Sequence, residues 1–194
     1  MASSRPAGPT RLISADSHVQ ITQDHVKAHL DPKWHGEYDD AIAEFGRRMS
    51  NSAAMKMNRA LMEMKPHPSA GRPGYGDPVE RLADMDADGV EAEVLYCEVS
   101  AFRYLYLVEN GWREATRAFN DAMWAFGSED PKRLVVNAQI PIHDIDEAVK
   151  EVERCAALGF KSLQLPVFPV ELGLPDYFDE RHEPLFAVIQ DHDL

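Results

Sequence analysis

DPVERLADMDADGVEAEVLYC, residues 77–97, contains a complete helix–strand unit. Asp77 followed by Pro78 is typical of a helix start, because Asp caps free backbone N–H groups and Pro suits the first turn. Apolar side chains then recur at helical spacing, at Val79, Leu82 and Met85. Gly89 is typical of the residue that follows a helix. The run 91–97 predicts a strand, so the stretch predicts a helix joined to a strand by a tight turn.

The same alternation continues along the chain and gives four predicted strands, at residues 11–16, 91–97, 133–140 and 160–166. Further helices are predicted at 109–126, from Asp144 or Asp146 to Leu158, and at 183–192. Strands that alternate with helices predict βαβ units and a parallel sheet in the order 1-2-3-4. Among the side chains that we expect to face the interior of this sheet are Val94, Val136 and Leu163.

Four βα units are half of an eight-stranded TIM barrel, which typically needs about 250 residues. The sequence of 194 residues stops about half-way through such a fold. We therefore expect an α/β protein with the first four βα units of a TIM-barrel (β/α)8 fold over residues 11–194. An open four-stranded α/β sheet is the alternative, although the chain has neither a GxGxxG nor a GxxxxGK phosphate-binding turn.

Two segments lie outside this alternation. Residues 1–10 have no apolar run and predict a disordered leader rather than a secretory signal. Residues 23–76 predict a helical and loop insertion, with a helix over 38–65 and a loop rich in Pro and Gly after it.

Composition excludes several classes of partner. The formal net charge of −13 and the pI near 5.0 argue against binding to nucleic acid or to an anionic membrane surface. No apolar run approaches the roughly 18 residues of a membrane span. Cys97 and Cys155 are too few for a disulfide framework, so we expect buried thiols and a reducing, cytoplasmic location. The expected partner is a small-molecule substrate.

RLISADSHV, residues 11–19, contains the strongest candidate for chemistry. Residues i and i+2 of a strand point the same way, so Asp16 and His18 would project together if the strand continues through them. An oxygen donor beside a nitrogen donor suits Zn²⁺, Mn²⁺ or Fe²⁺. The alternative is a strand that ends in a polar turn, with His18 capping a neighbouring loop.

Three further polar residues follow predicted strands, where barrel active sites lie. Glu98 is a candidate for substrate binding, or else a solvated loop residue. Gln164 could hydrogen-bond a substrate carboxylate, or belong to a polar layer inside the barrel. His143 is a candidate on the same rim, or else a surface histidine.

Five blocks in matching order resemble the amidohydrolase superfamily, in the amidohydrolase-related branch that includes aminocarboxymuconate semialdehyde decarboxylase and γ-resorcylate decarboxylase. The blocks are 13–19, 81–96, 120–122 with 130–134, 148–159 with 163–166, and 178–185. The resemblance implies a metal-dependent hydrolase fold, a distorted TIM barrel with a divalent metal at the C-terminal ends of the strands. Asp16 and His18 match an acidic variant of the first-strand His-x-His motif, and are thereby implied as metal ligands.

The resemblance implies one divalent metal, with Zn²⁺ first and Mn²⁺ or Fe²⁺ as alternatives. The remaining ligands would be a His after the fifth strand and an Asp after the eighth, both beyond Leu194. That Asp is also the family's usual proton shuttle, so the catalytic residue stays unknown and we expect the chain alone to be inactive.

For function, the resemblance implies hydrolysis of a small organic acid, cyclic ester or amide. One alternative is non-oxidative decarboxylation, as a carboxy-lyase, of a carboxylated aromatic or muconate-type substrate. The other is a truncated, non-catalytic chain that associates with related full-length chains. For the full-length protein we expect a homo-oligomer.

Overall fold

Four parallel strands form one sheet, in the order β1-β2-β3-β4, in a computed structural model that describes residues 11–51, 72–97 and 101–194. The strands are β1 (Leu12–Val19), β2 (Val90–Cys97), β3 (Leu134–Gln139) and β4 (Ser162–Gln164). Parallel pairing in sequential order confirms the predicted half of a (β/α)8 barrel. β1 continues three residues beyond its predicted end, and β4 is shorter than predicted.

Besides short 3-10 turns, seven α-helices occur in the described part of the chain. They are α1 (Gln23–Lys27), α2 (His35–Asn51), α3 (Pro78–Asp88), α4 (Ala101–Leu105), α5 (Trp112–Gly127), α6 (Ile145–Leu158) and α7 (Glu183–Asp191). The short helices α1 and α4 were not predicted. The helix predicted over 38–65 begins at His35, and its part beyond Asn51 lies outside the described residues, as do residues 1–10.

Helix α3 has the bounds that its sequence predicts. The Asp77 carboxylate accepts hydrogen bonds from the N–H groups of Val79 and Glu80, at 2.9 and 3.0 Å. Gly89 ends the helix with a φ of 70°, in the left-handed region that glycine adopts without strain. Strand β2 begins at the next residue, Val90.

Strand β1 contains a bulge against β2. Ser14 pairs with Glu93 and Ser17 pairs with Leu95, so three steps along β1 match two steps along β2. A bulge of one residue changes which face of the sheet the later side chains occupy. Ser14 and Ser17 therefore share one face, although alternation alone would separate them, and their hydroxyl oxygens lie 2.7 Å apart.

The register defines two faces of the sheet. Leu95 pairs with Val136, and a side-chain carbon added at Gly127 of α5 would lie 2.6 Å from Val136, so this is the outer face, covered by helices. Val94 pairs with Val135 on the opposite, inner face.

The expectation that Val94, Val136 and Leu163 all face inward is wrong for two of them. Val136 packs against α5, and Leu163 pairs with Ala138 on that same outer face. Beyond Val135, the inner face of β3 and β4 is polar: Asn137 lies opposite Ser162, and Gln139 lies opposite Gln164.

A buried ion pair joins α3 to the outer face. Arg81 Nε donates to Glu93 at 2.6 Å, and Glu93 is only 7% exposed. Ser17 Oγ donates to the same carboxylate at 3.2 Å. The network fixes the bulged part of β1 to β2 and to α3.

Both Cys97 and Cys155 are buried, as predicted. Burial raises the pKa of the Cys155 thiol, and the nearby Glu151 carboxylate raises it further. No helix in the described ranges is long and apolar enough to span a bilayer.

Candidate metal-binding cleft

An open cleft of about 700 Å³ lies at the C-terminal ends of three strands. Its strand residues are Asp16 and His18 of β1, Tyr96 and Cys97 of β2, and Gln164 of β4. The remaining lining residues come from α2, from α4 and the loop after it, and from the segment after β4: Phe45, Arg48, Met49, Arg103, Tyr106, Leu107, Val167, Phe168, Glu171 and Leu172. The position agrees with the rule that active sites of such barrels lie at the C-terminal face.

The β1 bulge is what places His18 in this cleft. His18 pairs with Tyr96 on the inner face, and their ring centroids lie 6.1 Å apart. An unbulged strand would place His18 on the same face as Ser14, towards Glu93 and the helices. Ala15 and Asp16 together occupy the space between the paired residues Ser14 and Ser17.

Asp16 and His18 offer donor atoms of the types that bind divalent metals, but two ligands are fewer than a catalytic metal site usually has. A carboxylate oxygen and an imidazole nitrogen that line one cleft suit Zn²⁺ or Mn²⁺. Among the residues that the structure describes, no group of three or more His, Cys, Asp or Glu side chains could hold a metal ion. A catalytic metal typically has three protein ligands, so these two would be part of a larger set.

Aromatic and cationic side chains line the same cleft as Asp16 and His18. Phe45, Tyr96, Tyr106 and Phe168 line the cleft. Arg48 also lines it, and its guanidinium pairs with Glu44 at 2.7 Å. Arg103 of α4 is a second arginine at the cleft. The cleft thus combines ring surfaces with two arginines and with the carboxylates of Asp16 and Glu171. Such a mixture of apolar and polar groups suits a small aromatic ligand.

Gln164 lies in the cleft and is held from behind. Gln139 Nε2 donates to Gln164 Oε1 at 2.8 Å. Gln164 therefore belongs to the inner polar layer and also faces the cleft, so both interpretations drawn from the sequence describe its position. Its role in substrate binding stays a prediction.

The other two sequence candidates lie elsewhere. His143 packs against Trp112 and Tyr106, with ring centroids 3.9 and 5.0 Å apart, and is not a lining residue of the cleft. Tyr106 lines the cleft, contacts His143, and accepts a hydrogen bond from the Ile142 N–H at 2.8 Å. Glu98 lies outside the described residues.

Sequence reasoning proposed Asp16, His18 and Gln164 as site residues and missed the other lining residues, among them Tyr96, Arg48, Arg103 and Tyr106. Tyr96 was predictable from the sequence, because it lies two residues after Val94 in the same strand and so shares its face of the sheet. Arg48, Arg103 and Tyr106 come from α2, from α4 and from the loop after α4. No periodic signal in the sequence connects those segments to the strand ends.

Solved structures with the same fold include decarboxylases. The chain is 19% identical to a 5-carboxyvanillate decarboxylase from Novosphingobium aromaticivorans solved with bound manganese, with a TM-score of 0.63, covering 94% of this chain and 49% of that one. It is 18% identical to a 2,6-dihydroxybenzoate decarboxylase from Rhizobium, with a TM-score of 0.55 and coverage of 96% and 48%. It is 18% identical to an amidohydrolase from Mycobacterium avium subsp. paratuberculosis, with a TM-score of 0.63 and coverage of 95% and 57%.

The chain spans about half the length of these structures, and identities this low establish the fold alone. No curated protein sequence matches the chain. The model of one family, the amidohydrolases, matches residues 15–194, which is nearly the whole sequence. The protein belongs to the amidohydrolase family.

Proposed function

We propose that these residues form the first half of the barrel of a metal-dependent decarboxylase that acts on a carboxylated aromatic compound. The single observation that supports this most is the composition of the cleft. It places a carboxylate–imidazole pair, Asp16 and His18, within one cavity that also carries aromatic side chains and two arginines. The two decarboxylases that share this fold favour decarboxylation over the hydrolysis expected first from the sequence.

Each part of the cleft has a distinct task in this proposal. Asp16 and His18 would hold one divalent ion, together with ligands from outside the described residues. The ion would polarise substrate oxygens and stabilise negative charge that develops during the reaction. Phe45 and Tyr96 offer ring surfaces for an aromatic substrate, and Arg48 and Arg103 attract its carboxylate.

Loss of CO₂ leaves an electron pair on the ring carbon, and that carbon must take up a proton. The described residues include no established acid for this step. The cleft residues of this half-barrel therefore bind and orient the substrate, and the proton donor would come from elsewhere in the complete protein.

The test is release of CO₂ by a protein that carries the whole barrel, which this proposal expects to contain four further βα units. The protein would be stripped of metal, reloaded with Mn²⁺ or Zn²⁺, and supplied with 5-carboxyvanillate and 2,6-dihydroxybenzoate. We expect CO₂ release that requires the metal and is lost in His18→Ala, whereas His29→Ala, a change at an exposed histidine, retains it.

Metal-dependent cleavage of esters or amides without any CO₂ release would contradict this proposal and favour the hydrolase. A metal-loaded protein that processes neither class would favour the non-catalytic partner chain.

A further inference from the structure

We propose that Gln164 is a substrate-orienting hydrogen-bond donor, and that Gln139, whose backbone is held by Asn120, is a positioning residue that directs the NH₂ group of Gln164 towards the cleft. The inference deepens the proposed function, because it names the kind of ligand atom that this wall of the cleft selects. It is carried by a continuous series of hydrogen bonds from α5 through β3 to β4.

The series begins at Asn120, which is fully buried on α5. Its side-chain amide bonds to both backbone groups of Gln139, the N–H and the carbonyl. Asn120 Oδ1 accepts from the Gln139 N–H at 2.7 Å, and Asn120 Nδ2 donates to the Gln139 carbonyl at 2.9 Å. This pair of bonds leaves the amide of Asn120 one orientation, because a flipped amide would place like groups against each other.

Glu151 and Arg154 of α6 hold Asn120 in turn. Asn120 Nδ2 also donates to Glu151 Oε1 at 2.6 Å, and Arg154 donates to the same carboxylate at 2.8 and 2.9 Å. Glu151 is 2% exposed, so an unpaired charge there would be costly. The position of Gln139 is thereby set by two helices on the outer side of the sheet.

Gln139 transmits this order to the inner side. It is 3% exposed, and its Nε2 donates to Gln164 Oε1 at 2.8 Å. Cys97 Sγ lies 3.5 Å from the same Gln139 nitrogen and 4.0 Å from Gln164 Oε1. The oxygen of the Gln164 amide is thus directed towards Gln139 and Cys97.

A terminal amide has one oxygen and one NH₂ group, so the Gln164 NH₂ is left for the cleft. It has no hydrogen-bond partner within the described part of the chain. Two N–H donors in the cavity that holds Asp16 and His18 favour a ligand with an acceptor oxygen, such as a carboxylate or phenolate.

The test is binding of benzoate to the metal-free 194-residue protein, followed by NMR of the glutamine side-chain amides labelled with ¹⁵N. We expect the two Gln164 NH₂ resonances to shift saturably, and the Gln139 resonances to stay in place because that amide is buried behind Gln164. Gln164→Met should weaken benzoate binding about tenfold, the loss of one hydrogen bond to a charged group. The matched control is Gln190→Met, at an exposed position of α7.

Gln139→Leu tests positioning separately, because it leaves Gln164 in place. We expect a smaller benzoate-induced shift at Gln164 and binding about threefold weaker, since the amide is then free to turn. A destabilised fold alone would not single out the Gln164 resonances.

Wild-type affinity in Gln164→Met, or a benzoate titration in which the Gln164 resonances do not move, would overturn the inference. Neither result depends on turnover. An absence of CO₂ release would contradict only the proposed function.

Discussion

Asp16 and His18 carry the chemistry on which the proposed function depends. We expect the 194-residue chain to bind Mn²⁺ or Zn²⁺ weakly, because its described residues supply two ligands where a catalytic site usually has three. His18→Ala should lower that affinity about tenfold or more, and Asp16→Asn should also lower it. Calorimetric titration of each variant beside His29→Ala measures this, and tight stoichiometric binding by the wild-type chain would show that these two ligands suffice.

His143 makes stability depend on pH. His143 is exposed, but the Trp112 and Tyr106 rings shield part of its imidazole from water, and this partial desolvation lowers its pKa. Asp144 opposes this change and Arg113 adds to it. The unfolded chain, with a histidine pKa near 6.5, therefore binds the proton more readily than the folded chain. Stability that is present above pH 6.5 is lost as the pH falls towards the folded-state pKa, and is constant below it.

We accordingly expect the Tm to fall less between about pH 7.5 and pH 5 in His143→Gln than in the wild type. His192→Gln, at an exposed position, is the control. Thermal unfolding followed by circular dichroism gives the comparison, and parallel curves for wild type and His143→Gln would refute the assignment.

Helix α3 and strand β2 are held together by the buried pair of Arg81 and Glu93. Removing one partner leaves an uncompensated buried charge, a change that typically costs about 3–5 kcal/mol. We expect Arg81→Met to lower the free energy of unfolding by an amount in that range. Arg47→Met, which removes an exposed pair with Glu44, should cost less than about 1 kcal/mol. Urea denaturation measures both, and equal losses would contradict the argument.

Local sequence signals predicted the helix ends that depend on neighbouring residues. They failed where the structure depends on contacts with segments distant in the sequence. The bounds of α3 follow from Asp77 and Gly89, which act within one turn of the helix. The bulge that places Ser14 and Ser17 on one face depends on pairing with β2, some 80 residues later in the chain. No sequence pattern within β1 predicts it. For the same reason alternation could not tell that Val136 faces α5.

The candidate site divides in the same way. Asp16, His18 and Gln164 lie at strand ends, where the fold class itself indicates function, and all three line the cleft. Arg48 and Tyr106 reach it from α2 and from the loop after α4. Their placement depends on how those segments pack over the sheet, which no short pattern encodes.

At the scale of the whole molecule, apolar side chains stay exposed where the sheet stops. Val167, Phe168 and Val170, 61–67% exposed, follow β4, which has no further neighbour within the described sheet. Apolar surface beside an open strand edge favours association. We expect the 194-residue protein to self-associate, in keeping with the homo-oligomer predicted for the full-length protein.

Phe168→Ser should shift this equilibrium towards the monomer, because it removes a ring from the exposed patch. Val79→Ser, on α3, is the control, since Val79 is 58% exposed but lies away from the sheet edge. Light scattering over a range of concentrations measures both. A wild-type protein that stays monomeric at every concentration would show that the patch does not drive association.

Because of the bulge in β1, the position of His18 depends on the number of residues in the strand as well as on their identity. A substitution at the exposed Ala15 leaves the count of residues between Ser14 and Ser17 intact. Deleting Ala15 would move each later side chain of β1 to the other face of the sheet. His18 would leave the cleft with every functional residue still present in the gene. In this strand, we expect substitutions to be tolerated far better than insertions or deletions.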